Sequence, residues 1–372
     1  MPERGRGRTA LVAVSRPGSE LALRLERGIP EAEVFLPERF SPTGEDVYRW
    51  SGPARDLLGR LFSEFAGLVL FGSVGMAVRL VAPLLVDKRA DPAVVVVDDA
   101  GRFAVSVLSG HLGGANALAR RVADALGAQA VITTASDALG TLAVDLLGRE
   151  LGWRIEDPDA VTRASAAVVN GEPVGVLQEA GEPDWWPAGE PLPANLVVCS
   201  SRDELAASLI RAALVITDQT LVGWEERLPP TVVYRPKSLV VGVGCNRGTP
   251  AMDIAGAVDE ALERHGLARA SIRNLVTLDL KRDEAGIGEL AAELGVPVEH
   301  FPAEELDRVA GVASPSAVVQ RWVGTRGVCE PAALLSSGAT ALLVSKHKTQ
   351  NVTVAVARVD FTRRRGGQRE GG

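Results

Sequence analysis

Residues 94–97 read Val-Val-Val-Val, and no other run constrains the fold as tightly. A β-branched stretch without polar alternation has no face to give to water. It must be a strand covered on both sides, the situation of parallel sheets flanked by helices. Composition points the same way: aromatic residues are only 4% of the chain, so cores have to be built from Val, Leu, Ala and Ile. A length of 372 residues allows two or three such cores.

Strand-like and helix-like signals alternate through much of the sequence. Apolar runs at residues 10–14, 68–71, 94–97, 103–108 and 130–133 are separated by segments with helical spacing, including Leu57, Leu58, Leu61, Phe62 and Phe65, then residues 115–126. This alternation implies an α/β fold in several domains with mainly parallel sheets. Residues 1–150 form the first expected domain. The pattern loosens over residues 151–237, a smaller middle domain with one expected helix at 203–213 and a Trp- and Pro-rich loop. Strand–helix alternation resumes over residues 238–360, and the Arg- and Gly-rich residues 361–372 read as a disordered tail.

Several classes are disfavoured. A net charge of −7 is unlike the basic surface of a nucleic-acid binder. Cys199, Cys245 and Cys329 lie far apart without ligand spacing, which argues against a disulfide framework or a zinc site and fits a reducing compartment, the cytoplasm. Residues 68–86 are long and apolar but contain Gly72, Gly75, Arg79 and Pro83, so a buried strand, turn and helix explain them better than a membrane span. Gly242, Gly244 and Gly248 follow a strand, but the third glycine is one position late for a dinucleotide fingerprint and no acidic ribose partner follows. An anion-binding turn with Arg247 facing a carboxylate is the alternative to plain scaffold there.

Phe103 to Asn116, FAVSVLSGHLGGAN, carries the most chemistry. A strand enters a glycine-bearing turn that opens a helix, where backbone N–H groups are unpaired. Gly110, Gly113 and Gly114 permit close approach to the backbone, Ser109 and Asn116 add polar groups, and His111 can exchange protons near neutral pH. The bland alternative is a tight turn with His111 packed against the helix. The segment is neither a Walker A loop nor a G-x-S-x-G elbow. Ligands of open α/β sheets gather at strand carboxyl ends, where this turn is expected.

Residues 91–137, DPAVVVVDDAGRFAVSVLSGHLGGANALARRVADALGAQAVITTASD, closely resemble the signature segment of the cobalt-precorrin-5A hydrolases, the CbiG family. The upstream GSVGMAVRLVAPLLVDKRADPAV and LVAVSRPGSELA, and the C-terminal GVGCNRGT, LDLKRDEAG, GVCEPAALL and NVTVAVA, match the same family in order. CobE-like proteins of aerobic B12 synthesis resemble only the C-terminal part, so the SGHLGGAN domain favours the hydrolase. The resemblance implies a small-molecule substrate, a cobalt-bearing tetrapyrrole-derived macrocycle with several carboxylates and one acetate arm closed as a δ-lactone. Water opens the lactone, and the methylated bridging carbon leaves as acetaldehyde. Cobalt would arrive with the substrate, so no protein cofactor and no protein metal site are implied. Neighbouring enzymes of the B12 pathway are the only macromolecular partners suggested, with no nucleic acid and no membrane.

That chemistry distributes the remaining expectations. His111, with Ser109 beside it, is the candidate for moving protons, and the N–H groups of Gly113 and Gly114 for the lactone oxyanion. Gly110, Asn116, Arg79, Lys88, Asp91, Arg247, Lys281 and Glu330 are candidate substrate contacts, the cations for carboxylates. Arg79 interrupts an apolar helix, where a buried guanidinium needs a partner, either Asp91 or a substrate carboxylate. Glu330 opens an apolar helix, and capping explains it as well as ligand contact. A non-catalytic carrier of a corrinoid intermediate is the alternative function; it would need the glycines and cations but not His111.

Overall fold

The structure is a computed structural model that describes residues 5–29, 31–42, 47–87, 90–111, 113–187, 189–224, 226–309 and 327–361. Lys88 and residues 362–372 of the expected tail lie outside the described residues. The chain divides into two compact units, Met1–Leu146 and Leu147–Gly372.

In the first unit the strands are β1 (Gly5–Ala13), β2 (Ala32–Pro37), β3 (Tyr48–Trp50), β4 (Phe65–Phe71), β5 (Ala93–Val97), β6 (Phe103–Leu108) and β7 (Gln129–Val131). They form one sheet in the order β3-β2-β1-β4-β5-β6-β7. Helices α1 (Arg16–Glu26), α2 (Ala54–Glu64), α3 (Val74–Val81), α4 (Ala115–Leu126) and the short α5 (Ala135–Leu139) complete the unit. The valine run behaves as its composition demands. Val95 and Val97 join Leu11, Val69 and Phe71 in a core with Leu21, Leu25, Leu118 and Val122 from α1 and α4. Val94 and Val96 join Val12, Leu68 and Leu70 in a second core with Leu57, Leu61, Ala77 and Val81 from α2 and α3. Each fully buried Val or Leu contributes about 2 kcal/mol, so a polar residue at any of these positions would be costly.

One strand reverses. Asp98 Oδ1 accepts the N–H groups of Arg102 (2.8 Å) and Phe103 (2.7 Å), and Gly101 supplies a φ of 66°. This tight turn sends β6 back antiparallel to β5, pairing Val97 with Ala104 and Val94 with Leu108. β7 then runs parallel to β6. The SGHLGGAN turn therefore does follow a carboxyl end, but it lies at the sheet edge where β5 begins, opposite to the carboxyl ends of β1, β4 and β5.

In the second unit, β8 (Arg154–Ile155), β9 (Val174–Gln178), β10 (Leu196–Cys199), β11 (Ala212–Ile216) and β12 (Thr231–Arg235) form a sheet ordered β10-β9-β11-β12-β8, parallel except for β8. Its helices are α6 (Asp159–Val169) and α7 (Arg202–Ala207). The helix expected over residues 203–213 stops at Ala207, because Ala212 and Ala213 are already inside the buried strand β11. Strands β13 (Leu239–Cys245), β14 (Ile272–Leu278), β15 (Val298–Phe301), β16 (Val344–Lys348) and β17 (Val352–Arg358) make the third sheet, β15-β14-β13-β17-β16, with β17 antiparallel to both of its neighbours. Its helices are α8 (Ala251–Arg264), α9 (Ala285–Leu294), α10 (Ala303–Asp307) and α11 (Cys329–Ser337). Gly242 is required by packing: a Cβ there would sit 1.9 Å from the Cys329 carbonyl oxygen of α11. No described helix is long and apolar enough to cross a membrane.

Candidate active site

The turn between β6 and α4 is held in a strained conformation by several hydrogen bonds. Ser109 is one of two described non-glycine residues with positive φ, at 57°. Its carbonyl accepts the Ala115 N–H (3.1 Å) and its hydroxyl donates to the Asp91 carbonyl (3.0 Å). Gly114, with φ 87°, stands at the N-cap position of α4. The Gly110 carbonyl accepts the Asn116 N–H at 2.9 Å.

This turn lifts His111 toward the segment that leaves β7. Nε2 lies 3.0 Å from Asp137 Oδ2 and 3.0 Å from Ser136 Oγ, while Nδ1 lies 3.1 Å from Asp145 Oδ1. The three ionisable side chains are largely buried, 16% exposed for His111, 22% for Asp137 and 18% for Asp145. Asn116 is buried behind them. Its Nδ2 donates to Thr134 Oγ1 (2.9 Å) and Asp137 Oδ2 (2.9 Å), and its Oδ1 accepts from Ser106 Oγ (2.7 Å). Arg120, one turn further along α4, reaches Asp137 Oδ1 at 2.5 Å. Burial pushes the Asp137 pKa up, but hydrogen bonds from Arg120 and His111 and their charges outweigh it and hold the carboxyl below its usual range. Asp137 is thus a fixed negative charge beside the imidazole.

The chain was compared with known proteins. Three family models match in order: Cobalamin synthesis G N-terminal over residues 56–137, Cobalamin biosynthesis central region over 142–236, and Cobalamin synthesis G C-terminus over 239–357. The chain belongs to the cobalamin-synthesis G family. A cobalt-precorrin-5A hydrolase from Priestia megaterium is 42% identical over 360 residues, 96% of each chain. A cobalt-precorrin-5A hydrolase from Salmonella typhimurium is 33% identical over 353 residues, 93% of this chain and 96% of that one. The crystal structure of CobE, a protein from the cobalamin (vitamin B12) biosynthetic pathway, is 35% identical, covers 33% of this chain and 92% of its own, and has a TM-score of 0.32.

The structure gathers some of the expected site residues of this family member and disperses others. Ser109, Gly110, His111, Gly113, Gly114, Asn116 and Asp91 share one neighbourhood. Within it, Asn116 is an interior strut with both side-chain ends bonded to protein, not an open ligand contact. The Gly114 N–H donates to the His111 carbonyl at 2.9 Å, so of the two glycine amides assigned to an oxyanion this one is already engaged. Gly113 is exposed.

Arg79 is exposed, not buried, and its Nη1 donates to the Gly75 carbonyl at 2.8 Å. Asp91 is not its partner. That buried carboxylate accepts the Val86 N–H at 3.1 Å, closing the loop after α3. The cost of a buried guanidinium does not arise at Arg79, because the helix turns this position to solvent.

In the second unit, Lys281 pairs with Glu284 Oε1 at 3.0 Å, and Glu284 Oε2 accepts the Gly248 N–H at 2.9 Å. The anion at the Gly248 turn is therefore the chain's own carboxylate. Burial works against that charge, yet the Gly248 and Lys281 bonds and the nearby Arg247 hold the Glu284 pKa below its usual range. Arg247 is exposed. Glu330 is 2% exposed and its Oε1 accepts the Lys346 N–H at 3.0 Å, which ties α11 to β16 and removes it from the substrate contacts.

Sequence reasoning singled out His111 but not the side chains that the structure sets around it: Ser136, Asp137 and Asp145, with Arg120 on Asp137. The available signal was the Thr-Thr-Ala-Ser-Asp run of residues 133–137, one residue past the end of β7, a polar cluster at a strand's carboxyl end.

Proposed function

We propose that the chain is a cobalt-precorrin-5A hydrolase of cobalamin biosynthesis. It would open the ring-A δ-lactone with water and release acetaldehyde to give cobalt-precorrin-5B. The observation that carries the reading is a histidine held between carboxylates in a protein that matches such hydrolases along almost its whole length.

Lactone opening needs a group that accepts a proton from the attacking oxygen and returns it to the departing one, and a histidine does both near neutral pH. The Asp137 and Asp145 carboxylates stabilise the imidazolium formed between those steps. The N–H of Gly113, an exposed residue, is the remaining candidate donor to the lactone oxyanion, worth about 3 kcal/mol if well placed. Expulsion of the bridging carbon requires a base for the freed hydroxyl, which the same imidazole supplies once it has given up its first proton. Exposed Arg79, in the same unit as His111, suits a substrate carboxylate. Cobalt belongs to the substrate, and no further cofactor is needed for a proton-driven sequence.

The test is acetaldehyde release by the purified protein from cobalt-precorrin-5A, with His111→Ala alongside. The reading requires turnover by the wild type and its loss in the variant with binding retained. A wild-type protein that binds the macrocycle tightly and releases no acetaldehyde is instead a carrier.

A further inference from the structure

We propose that Ser136 is the nucleophile of the reaction, so that the lactone is opened through an acyl-enzyme and not by direct attack of water. The inference rests on the hydrolase reading and adds a covalent step to it. Ser136 Oγ lies 3.0 Å from His111 Nε2, and His111 Nδ1 lies 3.1 Å from Asp145 Oδ1. A hydroxyl, an imidazole and a carboxylate in that sequence are the constellation by which a serine becomes nucleophilic, and it is recognised by geometry and not by order along the chain. Here the order is His111, Ser136, Asp145.

The neighbours make the assignment specific. Ser109, the hydroxyl the sequence pointed to, donates to the Asp91 carbonyl and sits at a strained φ of 57°. Among the described residues the Ser136 hydroxyl has one side-chain partner, the imidazole. Asp137 shares Nε2, but Asn116 and Arg120 already hold its two oxygens. It is therefore a standing negative charge 3.0 Å from the nitrogen that must take the serine proton. The base is the neutral imidazole with its one proton on Nδ1 toward Asp145, which leaves Nε2 to accept. Transfer from Ser136 Oγ then gives an imidazolium with a carboxylate at each nitrogen, and its Nε2–H can donate to Asp137. Ser136 is 6% exposed, so the exchange takes place away from bulk water, where these charges act most strongly.

The steps balance. Ser136 Oγ bonds to the lactone carbonyl carbon as its proton passes to Nε2. The lactone C–O bond breaks, its electron pair stays on the departing oxygen, and that oxygen takes the proton from Nε2. Water then adds to the serine ester, giving its proton to Nε2. Ser136 Oγ leaves with that proton, freeing the carboxylic acid. One lactone and one water give one hydroxy acid, with no oxidant or reductant.

Three measurements on the full chain test this. Diisopropyl fluorophosphate should add a single phosphoryl group to the peptide carrying Ser136, and labelling should disappear in Ser136→Ala and slow at least tenfold in His111→Ala. Ser136→Ala should lose at least about 1,000-fold in kcat with KM little changed. Ser136→Cys conserves volume and is the fallback if the alanine variant does not fold; it should keep the wild-type melting temperature, resist the organophosphate and turn over at least tenfold more slowly. Hydroxylamine during wild-type turnover should divert product to a hydroxamate. Wild-type kcat in a folded Ser136→Ala, or an actively turning-over enzyme with no adduct at Ser136, overturns the nucleophile. Absence of acetaldehyde from the wild type overturns the hydrolase reading instead, and labelling of Ser136 separates the two failures because it needs no macrocycle.

Discussion

Replacing Gly113 by alanine is expected to disable the site while leaving most of the fold intact. An added Cβ would lie 2.2 Å from Ser109 Cβ and 2.8 Å from the Ser109 carbonyl oxygen. An ordinary carbon–carbon contact is about 3.5–4.0 Å, so something must retreat by more than about 1 Å. Ser109 cannot. Its carbonyl is bonded to the Ala115 N–H, its hydroxyl to the Asp91 carbonyl, and its backbone is already in the left-handed region. The strain must be relieved by opening the turn that carries His111. Overpacking of this kind costs about 1–3 kcal/mol, and a displacement of about 1 Å at a catalytic group costs about 100-fold in rate. The assay is kcat for acetaldehyde release beside a thermal melt. Gly114→Ala is the comparison. A Cβ at Gly114 meets nothing within 4 Å, but its φ of 87° is unfavourable for alanine, so it should cost about 1–2 kcal/mol of stability without the steric push on Ser109. A Gly113→Ala protein with unchanged kcat and unchanged melting temperature would refute the reasoning, since neither the clash nor its transmission to the imidazole would then be real.

Other consequences follow from the same contacts. Arg79→Ala should weaken macrocycle binding about tenfold, the value of one charge-assisted bond, and shift stability by less than about 0.5 kcal/mol because the side chain is exposed; calorimetric titration and a denaturant melt read the two separately. Arg120→Ala should let the Asp137 pKa climb back toward 3.8. A carboxyl whose folded pKa is depressed contributes stability above its unfolded value that is lost as pH falls through the folded one. The variant should therefore be less stable near neutrality by under about 1 kcal/mol and lose less on acidification, as urea melts between pH 3 and 6 would record. Burial pushes the Cys329 thiol from 9.0 up to about 11 despite an opposing hydrogen bond involving Thr353. The stability from keeping it neutral is fully present below pH 9 and drains away as pH approaches 11, about 3 kcal/mol in all. Cys329→Ala should flatten that alkaline slope, and a variant as pH-sensitive as the wild type would assign the slope to another group.

The parts of the fold that were legible in the sequence are those where burial alone decides. Strand β6 and helix α4 carry the bounds their periodicity implies, and the valine run is β5. Strand direction was not legible. The Asp98–Arg102 turn is visible as a turn, but only the capture of two N–H groups by the Asp98 carboxylate shows that it closes a tight hairpin. In the middle region, Ala212 and Ala213 read as the end of a helix because alanine is a helix former, and tertiary burial in β11 overrode that propensity. The site was legible as far as local chemistry reaches. His111 and its glycines announce themselves within eight residues, whereas Ser136, Asp137 and Asp145 lie beyond another helix and strand and have no spacing that singles them out. Arg79 and Glu330 were misjudged for a common reason: sequence gives a residue's helix but not the side it faces, and one proved solvated, the other interior.

The reversal of β6 gives the seven-stranded sheet productive loops at both of its rims. The imidazole and its carboxylates hang from the rim served by β6 and β7, while the loops after β1 and β4 emerge at the far one. Lengthening or replacing those far loops should leave proton transfer undisturbed, so new binding determinants have a place to be grafted without retuning the chemistry.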